Sequence, residues 1–440
     1  MDGRSRPIGV LLLASTLGVV LMAGIVAAAA PLDLLWTGTA GGPGRDTAGD
    51  GAIAPNGDLL LTGTIETQTG SDAFLQRRTP NGSVRWTRQY GQRGVTAGSD
   101  VVALPGGGAV VLADRVGPDG DRDVVVRRVN RRGRVQWERQ YGSARDETAY
   151  TLVKAGTGYA FAGFTASGGD GSLAAWVVRI GPAGEKRWSR TYGPGRVDAA
   201  YDLVHTGSGY LLAGVTTDGG TVLQSGDGWV ASLSANGTVQ WTRRYGGSGG
   251  DSLRAIVETP DGYAIAGFTT SYGNGTASAW LVVTDLIGRE RWNRTYGAGG
   301  VTVSADLVRT AEGYLLLGEG ARQADFDVEF RRIAESGEQV SLRTFGGSGE
   351  DGAGSLVIGD GRAYALGVTT TESEGPSDAL IVAVTAPNAP PAPAADDGVW
   401  PALSGLLAGA ILVTGLVVAL LADGLRISSR RESPPGGESE

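Results

Sequence analysis

The chain has 440 residues, enough for two or three average domains or one large all-β unit. Its 74 glycines, with 41% apolar residues, point to many tight turns between short strands rather than to disorder. It has no cysteine, which excludes disulfides and thiolate metal sites, and a net charge of −8 without a basic stripe, which excludes the electrostatic footprint of nucleic-acid binding.

Apart from Lys154 and Lys186, every one of the 38 basic residues is arginine. That bias resembles the proteins of high-GC organisms and, with the acidic balance, of salt-adapted archaea; a charge of this size also suits an ordinary soluble surface.

Residues 7–32 carry no charge, follow Arg4 and Arg6, and run through a small-residue stretch at Ala27 to Ala30. This is the pattern of an export signal, so residues 1–30 are expected to be a signal peptide cut after Ala28 or Ala29. The apolar stretch exceeds the roughly 7 to 15 residues of a cleaved signal, which leaves an uncleaved anchor as the alternative.

A repeated phrase then dominates the chain: Trp86-Thr-Arg-Gln-Tyr-Gly91, Trp137-Glu-Arg-Gln-Tyr-Gly142, Trp188-Ser-Arg-Thr-Tyr-Gly193, Trp241-Thr-Arg-Arg-Tyr-Gly246 and Trp292-Asn-Arg-Thr-Tyr-Gly297. Leu342-Arg-Thr-Phe-Gly346 is a degenerate copy, and the successive steps from Trp86 to Leu342 are 51, 51, 53, 51 and 50 residues. Such a period fits one multi-stranded propeller blade per repeat. In the third repeat the predicted strands are Tyr150 to Lys154, Tyr159 to Thr165, Ala174 to Ile180 and Glu185 to Tyr192. The second strand is apolar almost throughout, as suits burial on both faces, and Asn-Gly pairs such as Asn81-Gly82 and Asn236-Gly237 mark the hairpin between third and fourth strands.

The last repeat, 346–384, stops without its Trp strand, and Leu32-Asp-Leu-Leu-Trp-Thr-Gly38 lies 50 residues before Trp86. The N-terminal strand is therefore expected to complete the last blade, closing an all-β, seven-bladed β-propeller of four-stranded blades over residues 31–386.

Over roughly residues 32 to 385 these motifs resemble the secreted propeller repeats of bacterial and archaeal surface proteins. The hairpin Asn236-Gly-Thr-Val-Gln-Trp241 is similar to the tryptophan-docking hairpins of quinoprotein-type propellers, which implies Trp wedged between blades rather than Trp in a site. The cysteine pair often found in those dehydrogenases is absent here, and no cofactor is expected.

Each repeat carries an Asp shortly after its Tyr-Gly: Asp46, Asp100, Asp146, Asp198, Asp251, Asp306 and Asp351. Such a set could ring the channel and collect Ca²⁺, but its spacing from Tyr varies from 5 to 10 residues, which favours Asx-type bonding to turn N–H groups. A second set, Asp72, Asp123, Asp227, Asp327 and Asp378, precedes the third strand, with Ala174 and Ser278 in the other repeats. Trp176, Trp229 and Trp280, aligned with Phe74, Val124 and Leu380, read as core rather than as a sugar-stacking row. His205 is the only histidine and reads as structural. The sequons at Asn81, Asn236, Asn274 and Asn293 are candidate glycosylation sites in an exported domain. No catalytic or metal-binding residue stands out.

After the repeats, the proline-rich stretch 387–397 reads as a semi-rigid stalk. Residues 398–422 are uncharged and long enough to span a bilayer as a C-terminal transmembrane helix, and Arg426, Arg430 and Arg431 put the tail 423–440 in the cytoplasm. The sequence thus predicts a single-pass cell-membrane protein with an extracellular propeller. Its expected role is a binding module for a surface protein or glycan; the alternative is an extracellular carbohydrate-active hydrolase or lyase, which needs only two carboxylates at a fixed separation.

Overall fold

The structure, a computed structural model, describes residues 32–386 except 92–95, 168–171, 220, 274–275, 298–299, 323–324 and 372. The expected signal peptide, stalk, membrane span and tail, and the sequon at Asn274, lie outside the described residues. Among the described residues no helix is long and apolar enough to cross a membrane.

Each repeat folds into four antiparallel strands, giving seven separate sheets. Blade 1 consists of Thr47–Ile53, Leu59–Thr67, Gly70–Arg78 and Val84–Tyr90, and blades 2 to 6 occupy residues 96–141, 147–192, 197–245, 251–296 and 302–345. In blade 7 the strands Asp351–Gly359, Arg362–Thr369 and Asp378–Thr385 are completed by Leu34–Ala40, which pairs antiparallel with Asp378–Thr385. The N-terminal strand closes the ring as the sequence predicts. Thr385 N–H donates to the Asp33 carbonyl at 2.9 Å, and Asp33 N–H donates to the Thr385 hydroxyl at 2.8 Å. The first strand of every blade touches the first strand of the next, all the way round, so these strands surround the axis and the fold is a seven-bladed propeller.

The inner strand of blade 3 is Glu147–Ala155, longer than the predicted Tyr150 to Lys154. Glu147 to Ala149 also pair with the second strand, but across a bulge at Tyr150 that breaks the apolar alternation. Second strands are buried along nearly their whole length, as in Gly209–Thr217, and the apolar clusters join the facing sides of adjacent blades.

The joint between blades explains the Trp-x-Arg-x-Tyr phrase. A methyl group added to Gly288, in the hairpin turn of blade 5, would lie 2.6 Å from the ring of Trp241 in blade 4. The Tyr245 hydroxyl donates to the Gly288 carbonyl at 2.6 Å, while Arg243 lies over the Trp241 ring at 5.8 Å. Gly288 has φ +73°, a conformation open to glycine and costly for other residues. Tyr90, Tyr141, Tyr192 and Tyr296 reach Gly133, Gly184, Gly237 and Gly337 in the same way. At the closure, the Trp36 ring lies against Gly82 of blade 1.

The degenerate copy at Leu342 to Phe345 faces blade 7. There the third and outer strands come from opposite ends of the chain and share no hairpin, so no turn glycine exists for a Trp and Tyr to clamp.

Candidate functional site on the channel axis

All seven inner strands slip register against the second strand, as between Ala200 and Asp202. The slip splits the predicted Asp set into two structural positions. Immediately after it stand Asp50, Asp100, Thr151, Asp202, Ala255, Asp306 and Ser355, all buried.

These carboxylates stitch neighbouring blades together. Asp202 accepts the N–H of Leu203 at 2.5 Å and, in the next blade, of Ile256 at 2.7 Å. Asp306 likewise accepts Leu307 at 2.5 Å and Leu356 at 2.6 Å, and Asp100 accepts Val101 at 2.5 Å and Leu152 at 2.5 Å. Three such stitches consume six blades, and the partner blades carry Thr, Ala or Ser at the Asp position. Seven being odd, blade 1 is left over. Its Asp50 accepts from Gly51 N–H at 2.5 Å and from the Ser355 hydroxyl, while its Oδ2 meets no N–H or hydroxyl donor among the described residues. Asp50 instead lies beside the Asp100 carboxyl. Burial raises both acids above the usual carboxylate range, and their mutual repulsion adds to the rise at Asp100.

Four residues earlier, at the entry to the inner strand, a different acid caps the incoming loop. Asp46 accepts Gly42 N–H at 2.6 Å and Glu66 N–H at 2.8 Å; Asp251 accepts Gly247 at 2.9 Å and Asp351 accepts Gly347 at 2.8 Å. In blade 3 the capping acid is Glu147, on Ser143 N–H at 2.8 Å, rather than the predicted Asp146, which accepts from Arg122 N–H at 2.9 Å. Among the described residues no three His, Asp or Glu side chains stand together so as to hold a metal ion.

The second Asp set does occupy one register position at the start of the third strand, shared with Ala174 and Ser278. Trp176, Trp229 and Trp280 are buried in the core. The residue aligned with them in blade 2 is Val125 rather than Val124, because Val124 faces Tyr141 in the outer strand just as Ala175 faces Tyr192. His205 ends an inner strand, its ring 5.2 Å from that of Tyr210; burial, and then Arg179, hold its pKa below the ordinary value. Asn81 and Asn236 are exposed in hairpin turns. Asn293 is half-buried: its Oδ1 accepts Trp280 Nε1–H at 3.2 Å and its Nδ2 donates to Glu290 at 2.6 Å.

The ring loses its regularity at the slip itself. The residue within each bulge is Gly49, Ser99, Tyr150, Tyr201, Arg254, Ala305 or Gly354, so three consecutive blades place large side chains at the bulge and four place small ones. Tyr150 and Tyr201 lie with ring centroids 5.3 Å apart, and the Arg254 guanidinium sits 4.3 Å above the Tyr201 ring and 5.9 Å from Phe268.

Two buried acids bracket this arc, Asp114 in blade 2 and Glu319 in blade 6, at the second-strand position that holds Phe164 in blade 3 and Phe268 in blade 5. Burial pushes Asp114 up to about 7, against the pull of Arg122 and a hydrogen bond from Ala149 N–H at 3.3 Å. Burial also pushes Glu319 up to about 7, against the Ala353 N–H and Arg254. Glu319 Oε1 meets no partner among the described residues. Near neutral pH both acids can donate or accept a hydrogen bond beside aromatic faces and a fixed cation. Sequence reasoning missed the arc because its members share no residue type.

No protein-family model matches the chain, and no curated protein matches it. Among solved structures, a puromycin hydrolase mutant complexed with PGG is 14% identical with a TM-score of 0.52; the match covers 73% of this chain and 50% of that one, so this chain spans half the enzyme's length. A protein of unknown function from Bacteroides caccae is 16% identical over 57% of this chain and 82% of that one, with a TM-score of 0.35. The propeller domain of the trilobed protease from Pyrococcus furiosus is 8% identical over 77% of this chain and 93% of that one, with a TM-score of 0.44. At these identities the likeness concerns the fold alone.

Proposed function

We propose that this chain is an exported, membrane-anchored propeller that acts as a binding module at the cell surface, with a glycan or protein ligand engaged at the axial mouth. The observation that carries the reading is the arc Tyr150–Tyr201–Arg254 between Asp114 and Glu319, the place where an otherwise repetitive ring becomes asymmetric. Aromatic faces beside a cation and two protonatable acids suit a polar, ring-bearing ligand, which favours a glycan. The export signal at 1–30, the stalk at 387–397 and the apolar run 398–422 supply the topology of the proposal.

A carbohydrate-active enzyme is the second reading, favoured by the pKa values of Asp114 and Glu319, both suited to proton transfer near neutral pH. Labelling of intact cells tests the topology. In this cysteine-free chain, Gln68→Cys is expected to react with a membrane-impermeant thiol reagent on intact cells and Ser439→Cys only after lysis. The reverse pattern, or protection of both, sinks the display reading. Release of reducing ends from envelope polysaccharide that is lost in both D114N and E319Q would transfer the assignment to the enzyme.

A further inference from the structure

We propose that the face of the propeller bearing the hairpins between third and outer strands docks on an anionic lipid surface; the inference rests on the reading of 398–422 as the anchor. Of the ten exposed large apolar side chains among the described residues, all but Leu223 and Tyr272 lie in these hairpins or at the adjoining start of an outer strand. The described chain also ends on this face, where Ala386 N–H donates to the carbonyl of Gly361 at 2.7 Å. The 11 residues of the stalk, extending at most about 3.6 Å each, keep this face within roughly 40 Å of the apolar run that follows.

Three contact points spread around the ring. Blade 7 holds the chain end. Blade 5 presents Leu286, 58% exposed, and Ile287, 43% exposed, at the tip of its turn. Blade 2 presents exposed Arg131, Arg132 and Arg134 beside Val135. Blades 7, 2 and 5 are two, three and two steps apart in a ring of seven, so the three points define a plane that can lie flat on a bilayer. Apolar side chains entering the headgroup boundary next to arginines on anionic headgroups is the chemistry of a peripheral membrane surface.

The full chain, reconstituted into vesicles of phosphatidylcholine and phosphatidylglycerol containing nitroxide-labelled lipid, tests this. A fluorophore is attached at Ser336→Cys, on the hairpin face, or at Gln68→Cys, on the opposite face. The expected result is co-flotation with the vesicles and at least threefold stronger quenching at position 336 than at 68. In the L286D/I287D double variant, quenching at 336 should fall to the level at 68 while co-flotation persists. Equal quenching at both positions in a chain that still floats overturns the docking and leaves the anchor intact. Failure to float at all overturns the anchor reading and the docking with it. In phosphatidylcholine alone, quenching at 336 should drop at least twofold; no drop overturns the role given to the arginines.

Discussion

The hydroxyl of Tyr245 donates to the carbonyl of Gly288, 2.6 Å away in the next blade, and the same Gly288 lies under the ring of Trp241. One side chain thus satisfies a turn carbonyl while its neighbour covers the turn's open backbone. Y245F should cost about 1 kcal/mol, the usual net value of such a hydrogen bond, and Trp241→Ala about 3 kcal/mol through lost burial. The same hydroxyl introduced by Phe345→Tyr should add no stability, because blade 7 offers no hairpin carbonyl to receive it. Urea unfolding of the three variants checks the set.

Closure by Leu34–Ala40 makes the two chain ends one structural unit. A chain lacking residues 34–40 would expose the edge of Asp378–Thr385 and the turn glycine Gly82. It should unfold at lower denaturant and associate on concentration, as light scattering would register. A monomeric chain of unchanged stability would contradict closure.

The carboxylate stitches differ in a way that asparagine can expose. Both oxygens of Asp306 accept backbone N–H groups, so D306N turns an amide donor against another donor and should cost about 2 kcal/mol. Asp50 instead lies beside the Asp100 carboxyl, and its Oδ2 meets no donor among the described residues. D50N removes one of two neighbouring buried acids, and should stabilise the fold at pH 8. If both substitutions destabilise equally at pH 8, the unfavourable pairing of Asp50 with Asp100 is wrong.

Asp114 and Glu319 give stability a defined pH dependence. Their folded pKa values, about 7, lie above the ordinary values of 3.8 and 4.5 that apply when unfolded. The unfolded chain therefore releases these protons first. Their contribution is fully present below about pH 4 and is lost as pH rises towards 7, with a slope of roughly 1.4 kcal/mol per pH unit for each group. D114N should flatten the fall between pH 4 and 7 in chemical denaturation. An unchanged slope would show that Asp114 is not protonated in the folded chain.

Much of the architecture was legible in the sequence because each feature repeats. The 51-residue step, the Asn-Gly hairpins and the orphan strand at Leu32 to Gly38 needed only alignment with one another. The Asp positions were misread because counting from Tyr-Gly crosses a loop whose length varies between blades. The better marker was the apolar pair that follows, as in Asp202-Leu-Val and Asp306-Leu-Val, which sits inside the strand and keeps its register. The axial arc could not be found that way, since Tyr150, Tyr201 and Arg254 are alike only in occupying the bulge. The repeat consists of what the blades share, whereas the candidate site consists of what they do not.

The most direct test of the central claim is thermal unfolding of the full chain in detergent, wild type against the Y150A/Y201A double variant, across envelope polysaccharides and Ca²⁺. Binding to the folded state alone at 100 times Kd adds about 2.7 kcal/mol. The account predicts that at least one polysaccharide raises the wild-type Tm and that the double variant, still folded, loses the shift. No shift with any polysaccharide, or one that persists in the variant, would contradict recognition at the axial arc.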